Sequence, residues 1–239
     1  VKVAVCIPWR ETPERVRAYR WAVERWRRIT GWPVVSEDSP TSYWSKAVAG
    51  NRTVDRALVQ HAPDVLFVVD ADLVLLDPQS IAERALRDGW AVGHDRLLRL
   101  SESASDRLLA SAPDVEVREE HFGRDRAGRK EVKRTVPALL GDTALAITPD
   151  AWEYVGGFDE RFKEWGGQQV SVGHAARVLL GEIEQPNIAA YHFWHGPITY
   201  KSRSDHPYYK ANASLARRYS STRTVEGMLR LVSEEGRRG

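Results

Sequence analysis

Two aspartates one residue apart, Asp70-Ala71-Asp72, follow directly on five consecutive apolar residues, Val65–Val69. Within a strand such a pair would point to opposite faces, but past a strand end the chain turns and both carboxylates can address one site. A hard divalent cation takes oxygen ligands and keeps open positions for phosphate groups, and it neutralises the charge that develops on a departing diphosphate. Asp70 and Asp72 are therefore expected to bind Mn2+ or Mg2+ beside a diphosphate. An isolated Asp-X-Asp is usually a solvated turn; its place after a buried strand separates this one. His192 and His195 bracket Phe193-Trp194, and imidazole joins carboxylates at Mn2+-type sites, so both are candidate ligands and at least one of them is expected to bind the metal or diphosphate. Their spacing is not a zinc signature, and the single cysteine, Cys6, leaves no thiol pair to complete one. Asp77, before Pro78, reads as turn chemistry.

The elements that must position these groups alternate along the first half of the chain. Val1–Ile7 is apolar except for Lys2 and reads as a buried parallel strand ended by Pro8. Thr12-Pro13 predicts a capped helix start, with Val16, Tyr19, Val23 and Trp26 on one face and Gly31 as the stop. Strands are expected at Pro33–Val35, Asp64–Val69 and Trp90–Gly93, and helices at 51–61 and Ser80–Asp88. This order predicts an α/β fold with an open, mostly parallel sheet flanked by helices. Ligands of such sheets bind outside the carboxyl ends of the strands. Pro8-Trp9-Arg10, Glu37-Asp38 and Asp70-Ala71-Asp72 all fall there. Farther on, 113–134 reads as a loop or exposed hairpin, Ala138–Thr148 as a strand, and Asp150 with Glu153 as a capping box. A helix over 169–180 and a helical, basic tail from 205 follow.

The 239 residues suit one large domain or two small ones, and the net charge of +2 makes no global case for nucleic acid. Basic residues do cluster over 10–28 and 201–239, as a phosphate-facing surface or, more simply, as solvated helix faces. Most of the nine tryptophans are expected in the core. The opening reads as a strand rather than a signal peptide, and no apolar run approaches the ~20 residues of a membrane span. With one cysteine, a soluble, cytoplasmic location is expected.

Five stretches, in order, resemble the GT-A-fold nucleotide-sugar glycosyltransferases, especially family 2-like members with a galactosyltransferase-type C-terminal motif. They are Val5–Arg10, Val34–Ser39, Lys46–Arg52, Asp70–Asp72, and Val155–Phe162 followed by Trp165-Gly166-Gly167. The resemblance covers about residues 1–200. It implies a GT-A (Rossmann-like) domain over 1–200, with a nucleotide-binding half at 1–100 and an acceptor and sugar half at 101–200. The basic extension 201–239 is expected to be helical and to pack on that domain. By the same resemblance Pro8, Trp9, Arg10, Asp38, Lys46, Arg52 and Asp70 hold the nucleotide sugar, a UDP-sugar being favoured, and Trp165, Gly166 and Gly167 shape the sugar pocket.

One departure from that pattern bears on mechanism. Where the family carries an acidic pair after Trp-Gly-Gly, this chain has Gln168-Gln169. An amide has no basic site near neutral pH and cannot deprotonate an acceptor hydroxyl. Either the enzyme is retaining, with Gln168 and Gln169 orienting hydroxyls, or Asp159 or Glu164 is the base, or activity is impaired; the first is favoured. A nucleotidyltransferase is disfavoured because the loop after the first strand has no glycine, and a sugar- or nucleotide-binding module remains the non-enzymatic alternative. The acceptor is open among a glycan, a protein and a hydroxymethylated DNA base. Lys201, Arg203, Lys210, Arg217 and Arg218 near aromatics motivate the last.

Overall fold

A computed structural model describes residues 1–124, 130–137, 143–164, 166–184, 186–196 and 206–234, with backbone only over 133–137. The expected α/β architecture is present. Among the described residues, one sheet runs in the order β2 (Val34–Val35), β1 (Val3–Cys6), β3 (Val65–Val69), β8 (Ala144–Ile147), β5 (Trp90–Val92). β1 pairs in parallel with both β2 and β3, whereas β8 is antiparallel to β3 and β5. The sheet is thus mostly parallel with one reversed strand.

The two-residue period of the strands divides the core. Ala4, Cys6, Leu66, Val68, Leu145 and Ile147 face α2 (Lys46–His61), α5 (Pro149–Tyr154) and α6 (Gln168–Leu180). Leu215 and Tyr219 of α7 (Tyr209–Ser221), with Met228 and Leu231 of α8 (Val225–Val232), join that same core. Val3, Val5, Val65, Phe67, Val69 and Ala146 face the other way, onto Val23 and Trp26 of α1 (Val16–Thr30) and Ile81, Ala82 and Ala85 of α3 (Pro78–Asp88). Burial on both faces is why these strands read as unbroken apolar runs.

A second sheet was not foreseen. It runs β4 (Leu73–Leu75), β9 (Ala189–His192), β6 (Arg96–Leu100), β7 (Val132–Pro137), with α4 (Glu102–Leu109) after β6. Only Asp70-Ala71-Asp72 separates β3 from β4, so the two aspartates sit where the chain passes from one sheet to the other.

Several boundaries differ from expectation. α1 begins at Val16, not after Thr12; the Thr12 carbonyl instead accepts from the Arg15 and Val16 N–H groups in a turn. α2 begins at Lys46, capped by Ser45, which accepts from the Val48 N–H. Thr148, with Pro149 behind it, caps α5 in place of Asp150. Asp77 does cap α3, accepting from Ser80 N–H. Trp21, Trp26, Trp90 and Trp152 are buried, Trp9, Trp32 and Trp44 half-buried, and Trp194 exposed. No helix among the described residues is long and apolar enough to cross a membrane.

Much of the basic run 10–28 serves the fold. Arg17 pairs with Asp106, and Arg28 with Glu24 and Asp114. Arg25, buried against Trp21, donates to the carbonyls of Pro113 and Val115. In the tail, Arg218 pairs with Glu234, and Lys201 and Arg203 lie outside the described residues.

His174 on α6 gives the fold a pH dependence. Half-burial, then Arg177 and Arg223, lower its pKa from 6.5 to about 4. Above pH 6.5 both folded and unfolded chains are neutral there; as pH falls from 6.5 toward 4 only the unfolded chain takes up the proton, so stability is lost. Allowing for solvent screening at a half-exposed site, the loss is about 1 kcal/mol. His174→Gln should therefore narrow the gap in melting temperature between pH 7 and pH 4.5 by about 2–4 °C. Superimposable wild-type and variant profiles would refute this.

Candidate active site

The two aspartates part company at the junction of the sheets. The Asp70 N–H donates to the Thr143 carbonyl ahead of β8, whereas the Asp72 carbonyl accepts from Phe193 N–H at the end of β9. Asp70 is thereby held by the first sheet and Asp72 by the second.

Asp72 is 5% exposed and faces His192 and His195. The pairing of Leu73 opposite His192 brings the imidazole of His192 alongside, its Nε2 3.6 Å from Asp72 Oδ1. His195 Nε2 lies 3.9 Å from Asp72 Oδ2. One ligand atom from each of the three falls within 4.8 Å of the others. Each imidazole has its Nδ1 against a backbone carbonyl, Phe193 at 2.7 Å and Gly196 at 2.9 Å. With the proton on Nδ1, both rings offer an Nε2 lone pair to the side where Asp72 sits, the arrangement that second partners impose on metal-binding histidines. One carboxylate with two imidazoles fits a Mn2+-type ion better than Mg2+, which prefers oxygen throughout.

The electrostatics suit a ligand set. Burial alone would raise the Asp72 carboxyl, but His192, Arg15, His195 and Lys46 outweigh it and hold the group below the usual carboxylate range. Burial lowers the pKa of His195, with Arg15 adding to the effect against the pull of Asp72, a direction that favours the neutral ring, the form able to coordinate.

Asp70 is not in this triad. Its Oδ1 pairs with Lys46 Nζ, and Lys46 also donates to Gln169 Oε1 at 2.7 Å. The same Gln169 oxygen accepts from Thr143 N–H at 3.1 Å, leaving the amide nitrogen facing Asp70 at 3.5 Å. Thr143 holds φ +70°, a conformation costly for a β-branched residue, and its hydroxyl lies 2.7 Å from His94 Nε2. Lys46, Asp70, Thr143 and Gln169 thus form one fixed polar cluster next to the triad. Sequence reading missed Thr143 and Arg15: a threonine after a short glycine-containing stretch and an arginine in a basic run carry no distinguishing signal.

The other expected site residues divide. Arg10 Nε reaches both oxygens of Asp38 at 2.9 Å and its NH2 donates to the Ser39 and Thr41 carbonyls, binding the ends of β1 and β2 together. Trp9 stacks flat on Tyr19 with ring centroids 4.4 Å apart, and Pro8 is buried. Arg52 is turned to Glu37. Gln168 is buried and donates to the Glu164 carbonyl, so it braces its own loop. Gly166 and Gly167 have φ +110° and +91°, and a Cβ at Gly167 would come within 2.8 Å of Phe162. Trp165 lies outside the described residues. A cavity of about 500 Å3 between α2, α5 and the end of α8 is lined by none of the expected site residues.

Asp159, one of the two carboxylates considered as base, is held in an ion pair. It is 1% exposed, takes three bonds from the Arg161 side chain and one from its N–H, and accepts from Tyr219 Oη at 2.9 Å. Arg161 continues to Glu234, so this carboxylate ties the glycine loop to α7 and the end of α8. Asp159→Asn should cost about 2–4 kcal/mol of stability yet leave turnover per folded molecule within about threefold. Loss of a true base would cost ~100-fold or more. Glu164, the other carboxylate considered, has φ +56° and lies 2.9 Å from His206 Nε2.

No protein-family model matches the chain, and no curated protein matches it. Solved structures to which it is similar include the catalytic domain of Drosophila β1,4-galactosyltransferase 7 in complex with xylobiose. That likeness has 11% identity, 94% of this chain and 83% of the other, and a TM-score of 0.41. Another is glucosyl-3-phosphoglycerate synthase of Mycobacterium tuberculosis in complex with Mn2+, UDP-glucose and phosphoglyceric acid, at 11% identity, 93% and 79% coverage, and a TM-score of 0.44.

Proposed function

We propose that this chain transfers a sugar from a nucleotide-diphosphate sugar to an acceptor hydroxyl, with Asp72, His192 and His195 holding Mn2+. The observation that carries this reading is the triad itself: a buried carboxylate and two imidazoles, each with Nδ1 on a backbone carbonyl and Nε2 turned inward. The ordered motifs read from the sequence agree with it. When bound, the ion would neutralise the charge growing on the departing diphosphate.

In this reading Asp38 and Trp9, steadied by Arg10 and Tyr19, face the nucleoside, with residues 1–100 as the nucleotide-binding half and 101–200 as the acceptor half. Lys46 holds Asp70 toward the ribose and diphosphate, and Gly166 and Gly167 leave room for the sugar. Gln169 Oε1 is taken by Lys46 and Thr143, so its amide orients and does not accept a proton. Asp159 is locked in its ion pair, which argues against it as the proton-accepting group. That supports a retaining course in which the leaving diphosphate assists the acceptor.

The test is release of nucleoside diphosphate from a panel of UDP-, GDP- and dTDP-sugars with Mn2+, Mg2+ or chelator. Release that needs Mn2+ is expected, with Mg2+ less effective. Tight, Mn2+-dependent UDP binding with no release from any donor would instead establish a binding module.

A further inference from the structure

Arg15 enters the triad from outside both sheets. It sits in the turn before α1, its side chain 44% exposed, with NH1 3.9 Å from Asp72 Oδ2. Its NH2 is 3.3 Å from His195 Nε2 and 3.4 Å from Nδ1. Near-equal distances to the two ring nitrogens place the guanidinium over the face of the imidazole, not along either lone pair. The Nε2 lone pair therefore stays directed at the space beside Asp72 while a positive charge covers it.

We propose that Arg15 is a built-in stand-in for the cation: it balances Asp72 while no metal is bound, and moves onto the donor's diphosphate when metal enters. The proposal rests on the triad being a metal site. A divalent ion held by Asp72, His192 and His195 would lie within a few ångströms of the guanidinium, and two such charges repel strongly at that range. The side chain of Arg15, nearly half exposed, has room to withdraw. The diphosphate that accompanies the metal offers paired oxygens, the partner a planar guanidinium binds best. One residue thus opposes metal binding without nucleotide and favours nucleotide binding with metal, which makes the two ligands cooperative.

The experiment measures Mn2+ binding to wild type and Arg15→Ala by the electron-spin resonance of free Mn2+, and UDP binding at saturating Mn2+ by calorimetry. Removing Arg15 should tighten Mn2+ binding about three- to tenfold without nucleotide and weaken UDP binding about tenfold. Arg15→Lys should restore the Mn2+ affinity of wild type but only part of the UDP affinity, since an ammonium lacks the fork. A variant that melts like wild type yet shows unchanged or weaker Mn2+ binding, or unchanged UDP binding, overturns the proposal. A wild-type protein that binds no Mn2+ at all overturns the metal-site reading as well, so the two failures are told apart.

Discussion

Asp72→Asn is expected to abolish Mn2+ binding, whereas Asp70→Asn leaves it within a few-fold of wild type. The two residues are identical in type and two positions apart, yet the junction between the sheets gives them different partners. Among the described residues Asp72 is the carboxylate that faces both Nε2 atoms, and an amide in its place supplies neither the charge nor a second equivalent oxygen. Disturbing outer partners of a metal ligand commonly costs 10–100-fold in affinity, so losing the anionic ligand itself should cost at least ~100-fold. Asp70 is occupied by Lys46. Neutralising it frees Lys46 from its carboxylate partner and should appear as altered UDP affinity and turnover. Metal titrations of both variants, with thermal melts as controls, decide the matter. Equal loss of Mn2+ binding would return Asp70 to the ligand set, and the reverse order would dismantle the triad.

That distinction marks where the sequence stops being readable. The unbroken apolar runs of β1 and β3 announce strands buried on both faces, because nothing polar interrupts either side. Asp72, His192 and His195 were likewise visible as ligand types in suggestive places. Which of the two aspartates meets the histidines was not, since it depends on β4 pairing with β9 more than a hundred residues later. β4 is three residues long, too short for a periodicity to declare itself. Asp159 shows the same limit. In sequence it is an acid near a glycine turn, and only the return of α7 reveals Tyr219 against it. Local signals misled at α5 as well: Asp150 with Glu153 looks like a capping box, but Thr148, one step before proline, is the residue with extended backbone whose hydroxyl accepts from Ala151 N–H.

The other large effect belongs to Asn51, which couples α2 to the glycine loop. It is 3% exposed in the middle of α2; its Oδ1 accepts from Phe158 N–H at 2.9 Å, and its Nδ2 donates to the Phe158 carbonyl at 3.0 Å and to Glu160 Oε1 at 2.7 Å. The neighbouring Gly50 lets the Phe158 ring pack against the helix, for a Cβ there would lie 2.5 Å from it. Asn51→Asp keeps the shape and the first of these bonds but turns two donor contacts into facing acceptors, one of them a carboxylate. A buried charge without a partner and two lost bonds should cost about 2–4 kcal/mol, a fall in melting temperature of about 5–15 °C for a chain of this size. Adding Glu160→Gln to Asn51→Asp lets an amide donate where two carboxylates would repel, and should recover part of the loss. α2 begins at Lys46 and the clamped loop runs on to Gln169, two groups that meet over Asp70. The clamp therefore fixes the distance between them, and the variant should also bind UDP more weakly at temperatures where it is fully folded. A melting temperature within 2 °C of wild type, or no recovery in the double variant, would show that Asn51 merely fills space.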